Sequence, residues 1–386
     1  MVMGRRKFCA TLVASALLLA GCGGADPVSG AATTPQDAAP AAEFTTVPGD
    51  GAVDVVVNVP VEVTVTDGTI DEVTLTNDRG EQVRGQLAED RTSWKSAEPL
   101  GFGRSYTYAG TASGGDGAEV RLTGTFSTLP EGAQNRATLY PGDDQTVGVA
   151  VPIIVKFDAP VTDRASAQKA LSVTSSAGDP GGSWAWLSDQ EIHYRPEKYW
   201  PANTRVHVEA KLYGVPYGDG VYGKADVTSD FTIGRNQVVK IDNPTHQLVV
   251  QRDGQTVATY PASFGKDDDS ELTTPNGTFV VMSKHDTWSF DNPRYGYTNV
   301  VKKWAVRFSN HGEFIHENND NAANIGKNNT SHGCANLLEA DAKAYFDSAL
   351  IGDPVEVVNS ITTLEPVNDW YDWQLTWDQW KAKSAL

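Results

Sequence analysis

Cysteine is scarce in this chain: three in 386 residues. Cys9 and Cys22 lie in or at the end of an N-terminal apolar segment, so Cys334 stands alone in the body of the chain. A disulfide framework within the folded body is therefore excluded, and an unpaired thiol is left to explain. Cations are also in short supply. Lys and Arg number 31 against 49 acids, and the formal net charge is −18. That balance excludes a nucleic-acid partner and a polybasic membrane-binding surface. It selects no substrate, since a solvated acidic surface accounts for it. Long apolar runs are missing after the N-terminal segment, so nothing later in the sequence is expected to span a bilayer as a helix. The seven His and three Cys form no ligand cluster, and no glycine-rich loop stands between a strand and a helix. Neither a metal nor a cofactor is expected.

The first residues carry processing signals. Arg5, Arg6 and Lys7 precede an apolar run too short to cross a membrane, which ends Leu19-Ala20-Gly21-Cys22. This resembles the lipobox of bacterial lipoproteins and implies a signal peptide over 1–21 with lipidation at Cys22. The alternative is an ordinary secretory signal cut nearby. Arg5-Arg6-Lys7-Phe8 also resembles a twin-arginine export signal. Gly, Ala, Pro, Thr and Ser then dominate, so 22–43 is expected to be a flexible tether. The protein would face the cell wall from the outer face of the cell membrane, held there by its lipid.

Helical periodicity is sparse beyond the tether. Val61-Glu62-Val63-Thr64-Val65 alternates cleanly, and Asp67-Gly68 marks a turn. Short strands with frequent turns predict one β-sandwich over 44–129 and a second over 130–235, with a single short helix at 165–171. His193 and His207 lack metal-ligand spacing and are expected to be structural. From Asn236 the pattern changes to a mostly β unit running to 359, with one main helix at 340–350. Residues 285–298, rich in Asp, Asn, Pro, Gly and aromatics, are expected to form a long loop beside a site. In the tail, 360–386, Trp370, Trp373, Trp377 and Trp380 are spaced 3, 4 and 3 apart. That spacing puts them on one helical face. Packing against a domain is the favoured role, with sugar stacking as the alternative.

The densest chemistry is Ser331-His332-Gly333-Cys334-Ala335-Asn336, with His316 upstream. A thiol is nucleophilic as thiolate, and a neighbouring imidazole is the usual means of making one. Burial as an inert apolar residue is the alternative. Two histidines compete as base. If the backbone is extended from His332 to Cys334, the two side chains share a side, so spacing alone leaves His332 open.

These residues resemble the L,D-transpeptidase (YkuD-type) family, in its actinobacterial lipoprotein form. The resemblance rests on His316 followed by Ser331-His332-Gly333-Cys334-Ala335-Asn336. Supporting matches are Ser263-Phe264-Gly265-Lys266, Thr274-Pro275-Asn276-Gly277-Thr278-Phe279, Asp369-Trp370 and Trp377-Asp378-Gln379-Trp380. It implies a mainly β protein, with two immunoglobulin-like sandwiches before a β-rich catalytic domain with one main helix and a Trp-rich tail packed on the domains. It further implies acyl transfer on peptidoglycan stem peptides. Cys334 would attack a tetrapeptide stem, D-Ala would leave, and a stem amine would take the acyl group in a 3→3 cross-link. The resemblance makes His316 the base, oriented by a backbone carbonyl, and gives Glu317 no catalytic role. Backbone N–H groups at Gly333 and Cys334 would hold the oxyanion. Ser331 and Asn336 would brace the loop or touch substrate, His332 would line the wall, and Tyr297 and Trp304 are candidates for the groove. Tyr295 and His311 lie nearby, with surface or packing roles equally open. Carbapenem β-lactams are expected covalent inhibitors. Other readings are an L,D-carboxypeptidase, attachment of a protein to the wall through the same thioester, and a non-catalytic wall-binding lipoprotein.

Overall fold

The computed structural model describes residues 40–115, 117–132, 134–366 and 370–386. The expected signal peptide, the lipidation residue Cys22 and Asp369 lie outside them. Alternation of apolar and polar side chains builds the first sandwich. Strand Glu62–Thr66 buries Val63 and Val65 and exposes Thr64 and Thr66. Its four-stranded sheet faces a three-stranded one of Gly68–Asn77, Ser105–Gly114 and Glu119–Ser127. Val63, Ile70, Leu75, Trp94, Tyr108 and Phe126 meet in one core between them.

A second core lies between two four-stranded sheets downstream, where Ile153, Val155, Trp186, Ile192, Val206 and Phe231 pack together. Helix Arg164–Lys169 sits beside it, capped by Asp163, which accepts from the Ser166 N–H. It stops short of the expected 171 because Leu171 opens a strand, Leu171–Ser175.

The third core belongs to a five-stranded and a four-stranded sheet. In the first, Gln237–Asp242 runs parallel to Pro354–Val358, so the start and end of this unit are zipped together. In the second, Phe314–Glu317 runs parallel to Ala335–Leu337. Helix Glu339–Ser348 covers the core through Ala342 and Tyr345. The expected loop at 285–298 is instead most of a β-hairpin. Ser283–Asn292 pairs antiparallel with Tyr297–Arg307 around a single 3₁₀ turn, Pro293–Tyr295. Its polar and aromatic residues, Trp288 and Phe290 among them, form a strand that covers a site instead of a closed core.

The tail is not one helix. A 3₁₀ turn, Asp372–Gln374, and a short helix, Trp377–Lys381, are separated by extended backbone at Leu375 and Thr376. The four tryptophans therefore share no single helical stripe. Trp373, Trp377 and Trp380 instead surround the Arg195 guanidinium at 4.5, 5.3 and 4.8 Å from their ring centroids. Trp370, with φ 61°, turns away to pack at a tilt against Tyr140. Arg195 also donates to the carbonyls of Asp372 and Leu375, both at 3.0 Å. Such a buried cation is tolerable because π faces and carbonyls replace its water. The tail thus lies on the second core, with their seam filled by aromatic and charged groups.

His193 is structural, as expected, and fully buried in that seam. Its Nδ1 lies 2.8 Å from Asp372 and its Nε2 2.7 Å from Glu191. Burial opposes its charge, but Asp372 and Glu191 outweigh burial and raise it to about 9. His207 is half-buried and pairs with Asp230. Since folded His193 holds its proton more tightly than the ordinary 6.5, its stabilisation is full below that pH and is lost as pH rises through about 9. Asp372→Asn should therefore lower stability at neutral pH by roughly 3–5 kcal/mol, as breaking a buried ion pair does, with a smaller deficit above pH 9. Denaturant unfolding of both proteins across that range measures this; a deficit independent of pH would contradict it.

Candidate active site

The thiol stands where a constrained loop meets a strand. Gly333 adopts φ 113°, a left-handed backbone that admits glycine far more readily than other residues. That value breaks the extended run on which a same-side pairing of His332 with Cys334 depends. Side-chain hydroxyls then brace the loop. Ser331 Oγ donates to the Cys334 carbonyl at 2.6 Å and accepts from the Gly333 N–H at 3.2 Å. Beneath it, the buried Thr274 hydroxyl donates to the Gly333 carbonyl at 2.8 Å and accepts from the Gly265 N–H at 2.9 Å. Gly265 has to be glycine, because a Cβ there would meet the Leu272 carbonyl oxygen at 2.1 Å. The two motifs flagged at 263–266 and 274–279 are therefore the cradle of the Cys334 loop. Ser263 and Asn336 complete it, exchanging backbone hydrogen bonds at 3.0 and 2.9 Å.

The histidine comes from the neighbouring strand. His316 is in register with Asn336 across the parallel pair. Neighbours in register present their side chains to the same face, and Cys334, two residues before Asn336, enters on that face. His316, Cys334 and Asn336 accordingly line one cavity of about 380 Å³. The His316 ring is almost fully buried, and its Nδ1–H donates to the Glu317 carbonyl at 2.7 Å. That bond fixes the tautomer and leaves Nε2 as a base. Burial, aided by the Lys302 charge, lowers His316 to about 4 against the pull of the Glu317 carbonyl. Burial pushes the Cys334 thiol up to about 12, with the Glu313 carboxyl adding to it. At neutral pH the resting pair is thus thiol and neutral imidazole, not an ion pair.

The hairpin roofs this cavity. Phe290 packs on the His316 ring, centroids 4.9 Å apart, and Tyr297 lines the mouth. His332 is exposed and held between Tyr295 and Tyr297, with centroids 5.1 and 5.5 Å away. Its ring is thereby part of the wall. Trp304 is elsewhere, and its assignment to the groove is corrected. Its backbone is left-handed, φ 53°, which turns the indole onto Phe346 of the main helix, centroids 5.5 Å apart. His311 does not line the cavity either. A larger cleft of about 590 Å³ on the second sandwich, beside Arg205 and His207, contains no thiol.

Two family models match the chain: a bacterial Ig domain over residues 52–216 and an L,D-transpeptidase catalytic domain over 236–357. L,D-transpeptidase 5 of Mycobacterium tuberculosis (strain ATCC 25618 / H37Rv) is 43% identical over 352 residues, covering 90% of this chain and 78% of that protein. The chain belongs to the L,D-transpeptidase family. L,D-transpeptidase 2 of the same species (strain CDC 1551 / Oshkosh) is 37% identical, covering 87% of this chain and 83% of the other. Among solved structures, an L,D-transpeptidase in complex with imipenem is 30% identical with a TM-score of 0.49, over 57% of this chain and 97% of that one.

Within this L,D-transpeptidase the sequence pointed to Cys334, His316, Ser331, His332, Asn336 and Tyr297, and all six line the cavity. Phe290, Lys302, Asn318 and Asp320 line it as well and were missed. Only the polar–aromatic alternation through Trp288 and Phe290 could have signalled a covering strand. Since the free thiol sits near 12, alkylation of Cys334 by iodoacetamide should be slow at neutral pH and should climb about tenfold per pH unit through pH 9, following the thiolate fraction. Mass spectrometry of the Cys334 peptide reads this; a plateau at pH 7 would show a preformed ion pair instead.

Proposed function

We propose that this L,D-transpeptidase makes 3→3 cross-links in peptidoglycan through a thioester on Cys334. The observation that carries the reading is the single cavity shared by Cys334 and His316, with Nδ1 already committed to the Glu317 carbonyl. In the first half-reaction Sγ attacks the carbonyl that joins the third stem residue to D-Ala, and the thiol proton passes to His316 Nε2. Because the resting pair is neutral, that transfer accompanies attack and does not precede it. His316 then gives the proton to the departing D-Ala amine, the C–N bond breaks, and the thioester remains. In the second half-reaction a side-chain amine of another stem attacks, its proton returns through His316, and the thiol is restored.

The oxyanion assignment is narrower than the sequence suggested. Gly333 donates its N–H to Ser331 Oγ, so Cys334 N–H is the donor we assign to the tetrahedral oxygen, at the point where Gly333 lets substrate approach. Water in place of the amine would give a carboxypeptidase, and a protein amine would give wall attachment; neither has an observation of its own in favour. Carbapenems offer the same thiol a strained carbonyl and fit the reading as covalent inhibitors.

We also propose export and lipid attachment at Cys22, with the two sandwiches holding the catalytic unit out toward the wall. The basic–apolar–Cys22 pattern supports this. Cys22→Ala should move the protein out of the membrane fraction, and retention there would overturn the anchor.

Incubation with a disaccharide-tetrapeptide should yield cross-linked dimer and free D-Ala by mass spectrometry; tripeptide alone would point to water as acceptor. A carbapenem should add to the Cys334 peptide. His316→Ala should reduce acylation by a factor of about 10² or more, and His332→Ala should leave measurable activity. The reverse ranking would reassign the base.

A further inference from the structure

Lys302 lies in the active-site cavity with no role in the chemistry proposed above. It projects from the roofing strand Tyr297–Arg307, and only 11% of its side chain is exposed. Two cavity residues hold its ammonium: Asn318 Oδ1 at 2.7 Å and Asp320 Oδ2 at 2.9 Å. Asp320 is itself 91% exposed, so its carboxylate can swing into water at little cost. Lys302 is also close enough to His316 to oppose protonation of that ring. A largely buried cation, matched by one loosely held anion beside the general acid, is placed to exchange that anion for one carried by a ligand.

The reaction says which anion that is. His316 delivers its proton to the leaving amine, and in a tetrapeptide donor that amine belongs to the terminal D-Ala. One carbon away on the same residue is a free α-carboxylate. A carboxylate that close to the His316 end of the cavity falls in the reach of Lys302. If the stem continued by another residue, or ended in an amide, the negative charge would be absent there.

We propose that Lys302 binds the free carboxylate of the leaving amino acid and so selects donor stems that end at the scissile residue. This is a specificity role for one side chain of the hairpin, and it rests on the transpeptidase reading above. A charged hydrogen bond of this kind is worth roughly 1.5–3 kcal/mol, which is a discrimination of about ten- to a hundredfold.

The test uses the full chain and four donors: the tetrapeptide, its terminal amide, the pentapeptide with one further D-Ala, and the tetrapeptide amidated on the free carboxyl of its third residue. Acylation of Cys334 is followed by mass spectrometry. Wild type should favour the tetrapeptide over its terminal amide and over the pentapeptide by about ten- to a hundredfold in kcat/KM, chiefly through KM. Lys302→Met should collapse that preference by raising KM for the tetrapeptide alone, and Lys302→Arg should restore much of it. Equal loss on all four donors would mark Lys302 as structural and overturn the proposal. So would an unchanged preference in Lys302→Met. A preference that tracks the third-residue carboxyl would assign Lys302 to that group instead. No Cys334 adduct from any donor with wild type would reject the transpeptidase reading itself, a different result from all of these.

Discussion

Everything at the site depends on one strand pairing. Phe314–Glu317 and Ala335–Leu337 are parallel, with His316 opposite Asn336. Parallel neighbours need a long connection, and here residues 318–334 supply it, returning to the sheet with Cys334 at its end. Slippage of that register by one residue would turn His316 to the opposite face and separate it from the Cys334 thiol. The cradle from Gly265, Thr274 and Ser263 holds the returning loop, so the register is secured from both sides.

Burial then sets the chemistry. The same enclosure lowers His316 to about 4 and lifts Cys334 to about 12, so neither group is charged at rest. A thiol kept neutral this way is poorly reactive toward adventitious electrophiles and waits for a substrate that completes the site. Glu313 reinforces the effect. It is buried, and a Cβ on Gly333 would come within 3.5 Å of its Oε1. Burial also raises its own affinity for a proton. Lys302 lines the cavity and pairs with Asp320. These two are the acid and base of opposite charge that line the cavity, and they face each other across one ion pair.

The legible parts of this protein were those fixed by local pattern. Alternation found the sandwich strands, and the family resemblance carried by His316 and the run from Ser331 to Asn336 found residues that share one cavity. The parts missed were decided by tertiary contact. Residues 285–298 carry turn-forming residues, yet pair as a hairpin because Trp288 packs at a tilt on Phe314 and Phe290 packs edge-on against the same ring. Trp304 sits in a strand whose alternation should aim it at the cavity, but one left-handed residue sends it to Phe346. The tryptophan spacing of the tail was real and its meaning was different. Three rings converge, but around Arg195, a residue 178 positions before the first of them in sequence. Local periodicity carries no information about such a centre.

The tail also explains how the sandwiches bear on the site. Arg235 pairs with the buried Asp353, the Gly148 N–H donates to the Ile351 carbonyl, and Tyr199 donates to Glu356, so the second sandwich touches strand Pro354–Val358 and the turn before it. The chain leaving that strand bonds Asn276 through Thr362 and Ser360 before its last segment reaches Arg195 and His193. Asn276 is two residues from Thr274, whose hydroxyl holds Gly333. The seam with the second sandwich and the cradle of the Cys334 loop are therefore consecutive contacts of the same chain segments. Residues 360–362 and Asn276 are the links between the two. A sandwich acting purely as a spacer would need no such continuity; one that also steadies the catalytic unit does.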